Sequence, residues 1–292
     1  MSVTELLKQH FLLTMEVSPS KTDAGMEKLC GPEGLLEQLY TLKPDAVFCA
    51  GSNVGKNLEV LKKLLRDGKT IGMTRLACAE QTEAQLRLLL ENGIDHVILG
   101  QEPLSAAGMD TGVQMQKLVS RIRQTFASDV TLAVEGLAES HSSVKEDALR
   151  LKELQECGAD HIVTRPCWDM ERFYRWLDAV MAADVRLPVV AGILPAVDLA
   201  DTIRAALASN GGVLPDALAQ LVSRNWIYPN PFVRDPFDPE AEQKKAAFRA
   251  EGMEFTVSQI RAYRACGIGG IQMDTRNGFD DAARILRTAG LR

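Results

Sequence analysis

Two hydrophobic patterns alternate along this chain. Short apolar runs rich in β-branched residues are followed by longer segments with apolar positions at i, i+3 and i+4, the spacing of an amphipathic helix. The runs that we predict as strands are Phe11–Ser18, Asp45–Gly51, Thr70–Leu76, His96–Gly100, Val130–Glu135, His161–Arg165, Pro188–Ile193 and Gly270–Thr275. The predicted helices include Asn57–Arg66, Glu83–Glu91, Gly112–Phe126, Val144–Glu156 and Met170–Met181. Gly93, Gly158 and Gly267 precede strands and are typical of left-handed helix ends.

Repeated β/α units predict a parallel sheet, and eight of them fit a closed (β/α)₈ barrel. A chain of 292 residues suits one such domain, and we predict a single domain over residues 1–292. In this fold the reactive side chains lie where the strands end. Charged side chains at many strand ends predict a polar barrel mouth, because such groups are costly to bury. The strand-end residues are Glu16, Ser52, Arg75, Glu102, Glu135, Arg165, Pro195, Asp274 and Arg276.

The segment Asn225–Glu242 breaks this alternation. It carries four of the twelve prolines, which exclude a regular helix or a central strand. Loops of this length are often lids or binding loops, and this one offers aromatic side chains that include Trp226. A structural or subunit-contact loop is an equal alternative.

Composition narrows the class of protein. A formal net charge of −6 without a Lys/Arg cluster argues against a nucleic-acid-binding protein. Because no apolar stretch approaches about 18 residues, the sequence predicts neither a membrane span nor export. The six cysteines form no CxxC pair, so we expect reduced thiols in a cytoplasmic protein. They are Cys30, Cys49, Cys78, Cys157, Cys167 and Cys266.

Three sequence features fall short of known sites. Gly51–Lys56 is one residue short of a phosphate-binding loop, and Asn57 stands where a magnesium-binding hydroxyl belongs. The four histidines lack paired metal-ligand spacing, and His96 and His161 lie inside predicted strands, so we predict no metal site. Cysteines near strand ends are better interpreted as small buried apolar residues than as nucleophiles.

Nine short segments between about residue 10 and residue 290 match, in the same order, those of one known family. They are Met15–Lys21, Leu42–Asp45, Arg75–Cys78, Gly93–Val97, Asp147–Lys152, Gly158–Thr164, Ala191–Pro195, Glu251–Glu254 and Gly267–Ile271. The chain thus resembles the methylenetetrahydrofolate reductase family. The strongest match is Met15–Lys21, which is similar to the segment with which that family begins and whose glutamate is the family's catalytic acid.

Several positions depart from the family's pattern. Its RGD segment after strand four reads Gly100-Gln101-Glu102, so the arginine is missing and the aspartate becomes Glu102. The family's strand-six glutamine corresponds to Arg165 and its HLTC histidine to Arg75. A flavin-phosphate lysine falls at Leu154, and a folate-stacking phenylalanine falls at Ala205. Arg165 would hold Glu16 ionised, pair with Glu102, or bind a substrate carboxylate.

The resemblance implies reduction of 5,10-methylenetetrahydrofolate to 5-methyltetrahydrofolate by NADH or NADPH through FAD, with FMN or no flavin as alternatives. Glu16 would protonate the substrate, and Glu102 would hold the pterin or tune the flavin. The other implied substrate contacts are Arg165, Thr275 and Arg276. The implied cofactor contacts are Gly51, Ser52, Arg75, Gly100, Gln101, Glu102, Asp147 and Arg150.

Two other functions are compatible with these residues. One is a flavin-free, folate-dependent one-carbon or methyl transferase, or a methyltransferase partner, on the same barrel. The other is a non-catalytic subunit. We expect a homo-oligomer or a partner subunit, and no nucleic acid or membrane as a partner.

Overall fold

The computed structural model describes residues 3–31, 34–51, 53–65, 70–77, 81–100, 111–137, 143–209, 212–226 and 240–292. Its strands are β1 (Leu12–Val17), β2 (Ala46–Cys49), β3 (Ile71–Ala77), β4 (His96–Gly100), β5 (Thr131–Gly136), β6 (His161–Thr164), β7 (Val189–Ile193) and β8 (Gly270–Asp274). The helices are α1 (Val3–Gln9), α2 (Asp23–Cys30), α3 (Leu35–Thr41), α4 (Val54–Leu64), α5 (Thr82–Glu91), α6 (Thr111–Phe126), α7 (Val144–Glu156), α8 (Met170–Ala182), α9 (Leu199–Ser209), α10 (Asp216–Arg224), α11 (Ala241–Ala265) and α12 (Phe279–Ala289).

The strands form a closed barrel in sequence order, and each adjacent pair is parallel. β8 closes the ring against β1 with Leu12 beside Gly270 and Glu16 beside Asp274. The predicted (β/α)₈ fold is therefore confirmed. Every predicted strand is present within one or two residues of its expected ends, and Gly93, Gly158 and Gly267 have the positive φ angles predicted for them.

Apolar side chains are buried both inside the barrel and between the barrel and its helices. The inner layer combines strand residues such as Phe48, Met73 and Ile98 with Val3 and Leu6 of α1. Helix α1 therefore packs against the barrel interior, and the backbone N–H of Val3 donates to His96 Nε2 at 3.1 Å. The outer layer is larger, and Trp176 of α8 is fully buried within it.

Helices α9, α10 and α11 share a separate apolar cluster beside the end of β7. Leu218 and Phe248 are fully buried there with Trp168. The predicted loop Asn225–Glu242 was drawn two residues too long, because Ala241 and Glu242 already belong to α11. At its start, Asn225 ends α10 with a hydrogen bond to the Leu221 carbonyl, and Trp226 is 39% exposed. Residues 227–239 lie outside the described ranges, so the lid and subunit-contact interpretations stay predictions. Within the described part of the chain, no helix is long and apolar enough to cross a membrane.

Candidate active site

The carboxyl ends of the strands surround a cavity of about 210 Å³. Because β-strand side chains alternate between the two faces of the barrel wall, only some strand-end residues point inward. The cavity is lined by Glu16, Phe48, Arg75, Ile98, Glu135, Val163, Thr164, Arg165, Pro166, Gln272 and Asp274. This polar mouth contains Glu16, Arg75 and Arg165, three of the residues that the sequence predicted for the site.

Glu16 lies near the end of β1 and faces this cavity. Burial and the nearby Asp274 carboxylate raise the pKa of Glu16 from 4.5 to about 8, against smaller contributions that lower it. The opposing contributions are a hydrogen bond from Gln272 Nε2 to Glu16 Oε2 at 3.2 Å and the positive charges of Arg75 and Arg276. A carboxyl group with this pKa is largely protonated at neutral pH, which suits a general acid.

Asp274 stands next to Glu16 on the neighbouring strand β8. Its carboxylate accepts a hydrogen bond from the Arg276 backbone N–H at 2.9 Å, and Arg276 Nε lies 3.9 Å from its other oxygen. Burial raises the pKa of Asp274 as well, while Arg276 opposes the rise. The site therefore holds two adjacent carboxyl groups, of which the sequence predicted a catalytic role only for Glu16.

The opposite wall of the mouth carries positive charge. Arg75 Nη2 of β3 lies 2.9 Å from Glu135 Oε1 of β5, and Arg165 Nη2 lies 3.6 Å from Glu135 Oε2. Two guanidinium groups thus share one carboxylate and leave a net positive charge on this wall. Of the alternatives for Arg165, none is settled by its described contact, which is with Glu135.

Arg75 also occupies the space above Gly100. A Cβ atom at position 100 would overlap the Arg75 guanidinium, so the glycine leaves room for this position of the Arg75 side chain. In the match to the family's RGD segment, Gly100 stands at the position of the arginine. Here the guanidinium near the end of β4 comes from the neighbouring strand β3 instead.

Asp147 and Arg150 of α7 form a buried network with the end of β5. Asp147 Oδ2 accepts from Trp176 Nε1 at 2.7 Å and from the Leu137 N–H at 2.8 Å, while its other oxygen accepts from Arg150. Arg150 Nη2 also donates to the Glu135 carbonyl at 2.7 Å. These contacts join α7, α8 and β5, and the cofactor role expected of both residues stays a prediction.

The remaining predicted residues are divided between the edge of the mouth and undescribed segments. Thr275 and Arg276 line a second cleft of about 160 Å³, which shares Asp274 with the mouth and also includes Pro195. The Gly51 carbonyl accepts from Asn57 Nδ2 at 2.7 Å, and that amide also donates to Thr74. Asn57 therefore ties β2 to β3. Ser52, Gln101 and Glu102 lie outside the described residues.

The buried histidine and cysteine described next do not line this cavity. His161 at the start of β6 is fully buried, and burial lowers its pKa from 6.5 to about 3. Burial raises the pKa of the Cys167 thiol to about 11, which makes it a poor nucleophile. Within the described ranges, no group of three or more histidine, cysteine or acidic residues could hold a metal ion.

Sequence reasoning missed Gln272 and the roles of Glu135 and Asp274. Asp274 and Glu135 were visible as charged residues at strand ends, which was the available signal. Gln272 gave no signal of its own, because its contact with Glu16 depends on the pairing of β8 with β1.

Fold and site together define a class of protein. It is an α/β barrel whose mouth has a protonated carboxylic acid on one wall and a pair of guanidinium groups on the other. The sequence profile of the family described as "Methylenetetrahydrofolate reductase" matches residues 2–290. The chain belongs to this family, and the predicted resemblance is confirmed.

Individual relatives agree with this family assignment at modest identity. "Methylenetetrahydrofolate reductase (NADH) 1" of Arabidopsis thaliana is 25% identical over 99% of this chain and 50% of its own length. "5,10-methylenetetrahydrofolate reductase" of Pectobacterium carotovorum is 23% identical over 96% of this chain and 90% of its own length. The chain thus spans about half of the plant relative and most of the bacterial one. These names describe oxidoreductases, the enzyme class that the resemblance implied.

A solved structure supports the fold at lower identity. It is described as "Uncharacterized protein from Clostridium thermocellum binds two copies of 5-methyl-5,6,7,8-tetrahydrofolic acid". The two chains share 14% identity and a TM-score of 0.58, over 98% of this chain and 97% of the other.

Proposed function

We propose that this protein reduces 5,10-methylenetetrahydrofolate to 5-methyltetrahydrofolate, with a reduced nicotinamide as the source of the hydride. The observation that carries the proposal is Glu16, whose pKa of about 8 makes it a proton donor at neutral pH inside the barrel mouth. Family membership over residues 2–290 supports the substrate class. The folate ligand named for the clostridial structure supports it further.

Glu16 would supply the proton that opens the substrate. Protonation of a nitrogen atom bridged by the methylene group breaks one carbon–nitrogen bond and leaves an iminium at the other nitrogen. Hydride addition from NADH or NADPH to that carbon then gives the methyl group and the oxidised nicotinamide. Glu16 is ionised after the step and must take up a proton before the next turnover.

The walls of the mouth offer contacts for a folate. Gln272 Oε1 is buried without a hydrogen-bond partner among the described residues, so it can accept from an N–H of a pterin ring. Arg165 lines the mouth and Arg276 lines the second cleft, and these cations can attract the carboxylates of the folate tail. Thr275 lies beside Arg276 in the second cleft.

The described residues of the predicted cofactor set do not fit a flavin diphosphate. That group needs cationic or N–H donors directed at its oxygens. Arg75 is paired with Glu135, while Arg150 is bound to Asp147 and a backbone carbonyl. Leu154, at the position of the family's lysine, is fully buried. We therefore derive no step through a flavin.

The same engaged arginines favour a second candidate, a flavin-free transferase that moves a one-carbon or methyl group of a folate. This candidate retains Glu16 as the acid on the bound folate. It differs from the reductase because no nicotinamide is consumed, which gives a direct means of separating the two.

An anaerobic assay of the purified chain with 5,10-methylenetetrahydrofolate tests the proposal. NADH and NADPH are supplied separately, with and without FAD or FMN, and 5-methyltetrahydrofolate is quantified by mass spectrometry. We expect one mole of nicotinamide oxidised for each mole of product, without added flavin. Product that forms only with FAD would overturn the flavin-independent form. Absence of nicotinamide oxidation under all conditions would reject the reductase and favour the transferase.

A further inference from the structure

The turn Asp274–Asn277, which begins at the last residue of β8, is hydrogen-bonded to the end of β1. The Ser18 N–H donates to Asn277 Oδ1 at 3.1 Å, and Asn277 Nδ2 donates back to the Ser18 carbonyl at 2.9 Å. Thr275 Oγ1 also donates to the Glu16 carbonyl at 3.5 Å. Strand pairing places Glu16 beside Asp274, and these hydrogen bonds hold the residues that follow Asp274. The two carboxyl groups are therefore held beside one another by backbone structure on both sides.

The backbone of this turn is strained where it aims Asp274. Arg276 and Asn277 have φ angles of 48° and 62°, in the left-handed region that residues other than glycine seldom adopt. Strain of this kind persists where the surroundings hold it, and it is common at functional sites. Here the bend directs the Arg276 N–H back onto Asp274 and brings the Asn277 amide to Ser18.

Charged and titratable groups face Glu16 from several elements. The groups around the mouth are Asp274 and Arg276 on β8 and its turn, Cys49 on β2, Arg75 on β3, Glu135 on β5 and Arg165 after β6. Glu135 is neutralised by Arg75 and Arg165. Arg276 is shared between Asp274 and Asp201, with both contacts at 3.9 Å. Asp274 is thus the neighbouring carboxylate that acts most directly on Glu16, and after burial it makes the largest contribution to its raised pKa.

We propose that Asp274 is a positioning residue for Glu16. The strained turn holds the Asp274 carboxylate beside Glu16, and the negative charge of Asp274 keeps Glu16 protonated at neutral pH. The second carboxylate thereby makes Glu16 available as an acid where an isolated glutamate would be ionised. Its relevance to turnover rests on the proposed function, whereas the electrostatic effect does not.

A direct titration of Glu16 tests this role without relying on activity. The full chain is labelled with ¹³C at the glutamate carboxyl carbons, and the Glu16 signal is assigned by its loss in Glu16→Gln. In Asp274→Asn, which keeps the side-chain size and removes the charge, we expect the pKa of Glu16 to fall by about one unit. Asp274→Glu restores the charge and should return the pKa toward its original value.

Arg276→Gln provides a control of opposite sign. It removes a cation that favours ionised Glu16 but retains the backbone hydrogen bond to Asp274, so the pKa of Glu16 should rise. A merely structural effect of disturbing the turn would move the titration in the same direction in both variants. That result, or an unchanged Glu16 titration in Asp274→Asn, would overturn the proposal.

The pH dependence of activity separates this inference from the proposed function. Because Glu16 must be protonated to act, activity falls as pH rises through its pKa, and this fall should begin at lower pH in Asp274→Asn. Shifted titrations without any reductase activity would reject the function and leave the positioning role intact. Reductase activity together with an unchanged Glu16 pKa in Asp274→Asn would support the function and reject the positioning role.

Discussion

Glu16 illustrates how an ordinary residue gains a special property from its position. A glutamate near the end of a barrel strand is placed by the fold, and its environment then raises its pKa to about 8. The sequence predicted its place in the site, because strand ends and the family resemblance both pointed to it. The pKa could not be predicted, since it depends on burial and on Asp274, which lies at the opposite end of the chain.

Replacement of Glu16 by glutamine should lower turnover by about 10²-fold or more, because glutamine keeps the size of the side chain but cannot donate the proton. Steady-state kinetics of the variant with 5,10-methylenetetrahydrofolate and a reduced nicotinamide measure this effect. The thermal midpoint of unfolding at about pH 4, where Glu16 is largely protonated in both the folded and the unfolded state, should change little, which checks that the fold is intact. Near-normal turnover would remove Glu16 from the mechanism.

At the scale of elements, the strands were more predictable than the helices. Apolar runs located all eight strands, because a buried parallel strand needs a continuous apolar stretch. The five helices named from the sequence correspond to α4 to α8. Helices α1, α2 and α3 were not named, since seven or eight residues give too little periodicity to recognise. The longer helices α9 to α12 were not named either. The pairing of Arg75 with Glu135 was also beyond prediction, because it depends on side-chain reach between β3 and β5.

The Asp147 network predicts a structural effect where the family resemblance predicts a cofactor effect. Asp147→Asn should lower the free energy of unfolding by about 2–4 kcal/mol, because it removes the buried partner of Arg150 and disturbs the Trp176 and Leu137 hydrogen bonds. Urea denaturation measures this change. The matched control is Asp178→Asn on the exposed face of α8, which should change stability by less than about 0.5 kcal/mol. Unchanged stability together with weakened FAD binding would support the cofactor role.

Trp226, at the start of the predicted Pro/aromatic-rich loop, tests the lid interpretation. If the loop covers the folate, Trp226→Ala should weaken folate binding by about 1–3 kcal/mol, the scale of one lost aromatic contact. Calorimetric titration with 5-methyltetrahydrofolate gives the affinity. Tyr174→Ala, which removes another exposed aromatic side chain on α8, should leave it unchanged. Unaltered affinity with a changed oligomeric state would identify a subunit contact instead.

For the whole molecule, two titrating groups at opposite ends of the barrel shape the pH dependence of stability. The raised pKa of Glu16 means that stability is lost as pH rises from about 4.5 to about 8, because the folded state resists ionisation. The lowered pKa of His161 means that stability is lost as pH falls from about 6.5 to about 3, because only the unfolded state accepts the proton readily. Between pH 4.5 and 6.5 the two effects oppose each other.

We therefore expect these two groups to produce a stability plateau near pH 4.5–6.5, with losses of about 1–2 kcal/mol toward pH 8 and again toward pH 3. Urea denaturation across this range measures the profile. Glu16→Gln should remove the alkaline loss that Glu16 causes, and His161→Leu should remove the acid loss that His161 causes. Each variant serves as the control for the other. In each variant the plateau should become a slope, because the remaining group then acts unopposed between pH 4.5 and 6.5. The assignment fails if the profile stays flat there in either variant.

The close packing of Arg75 over Gly100 also constrains how this sequence could have diverged. A Cβ at position 100 would overlap the Arg75 guanidinium, so another residue there requires the far end of the Arg75 side chain to move. The two positions are therefore coupled through the place that this guanidinium occupies. Loss of the side chain at position 100 leaves room for the guanidinium in its present position, whichever substitution came first. The two departures from the family's pattern are therefore best regarded as one correlated exchange, in which a glycine on one strand permits an arginine on the next.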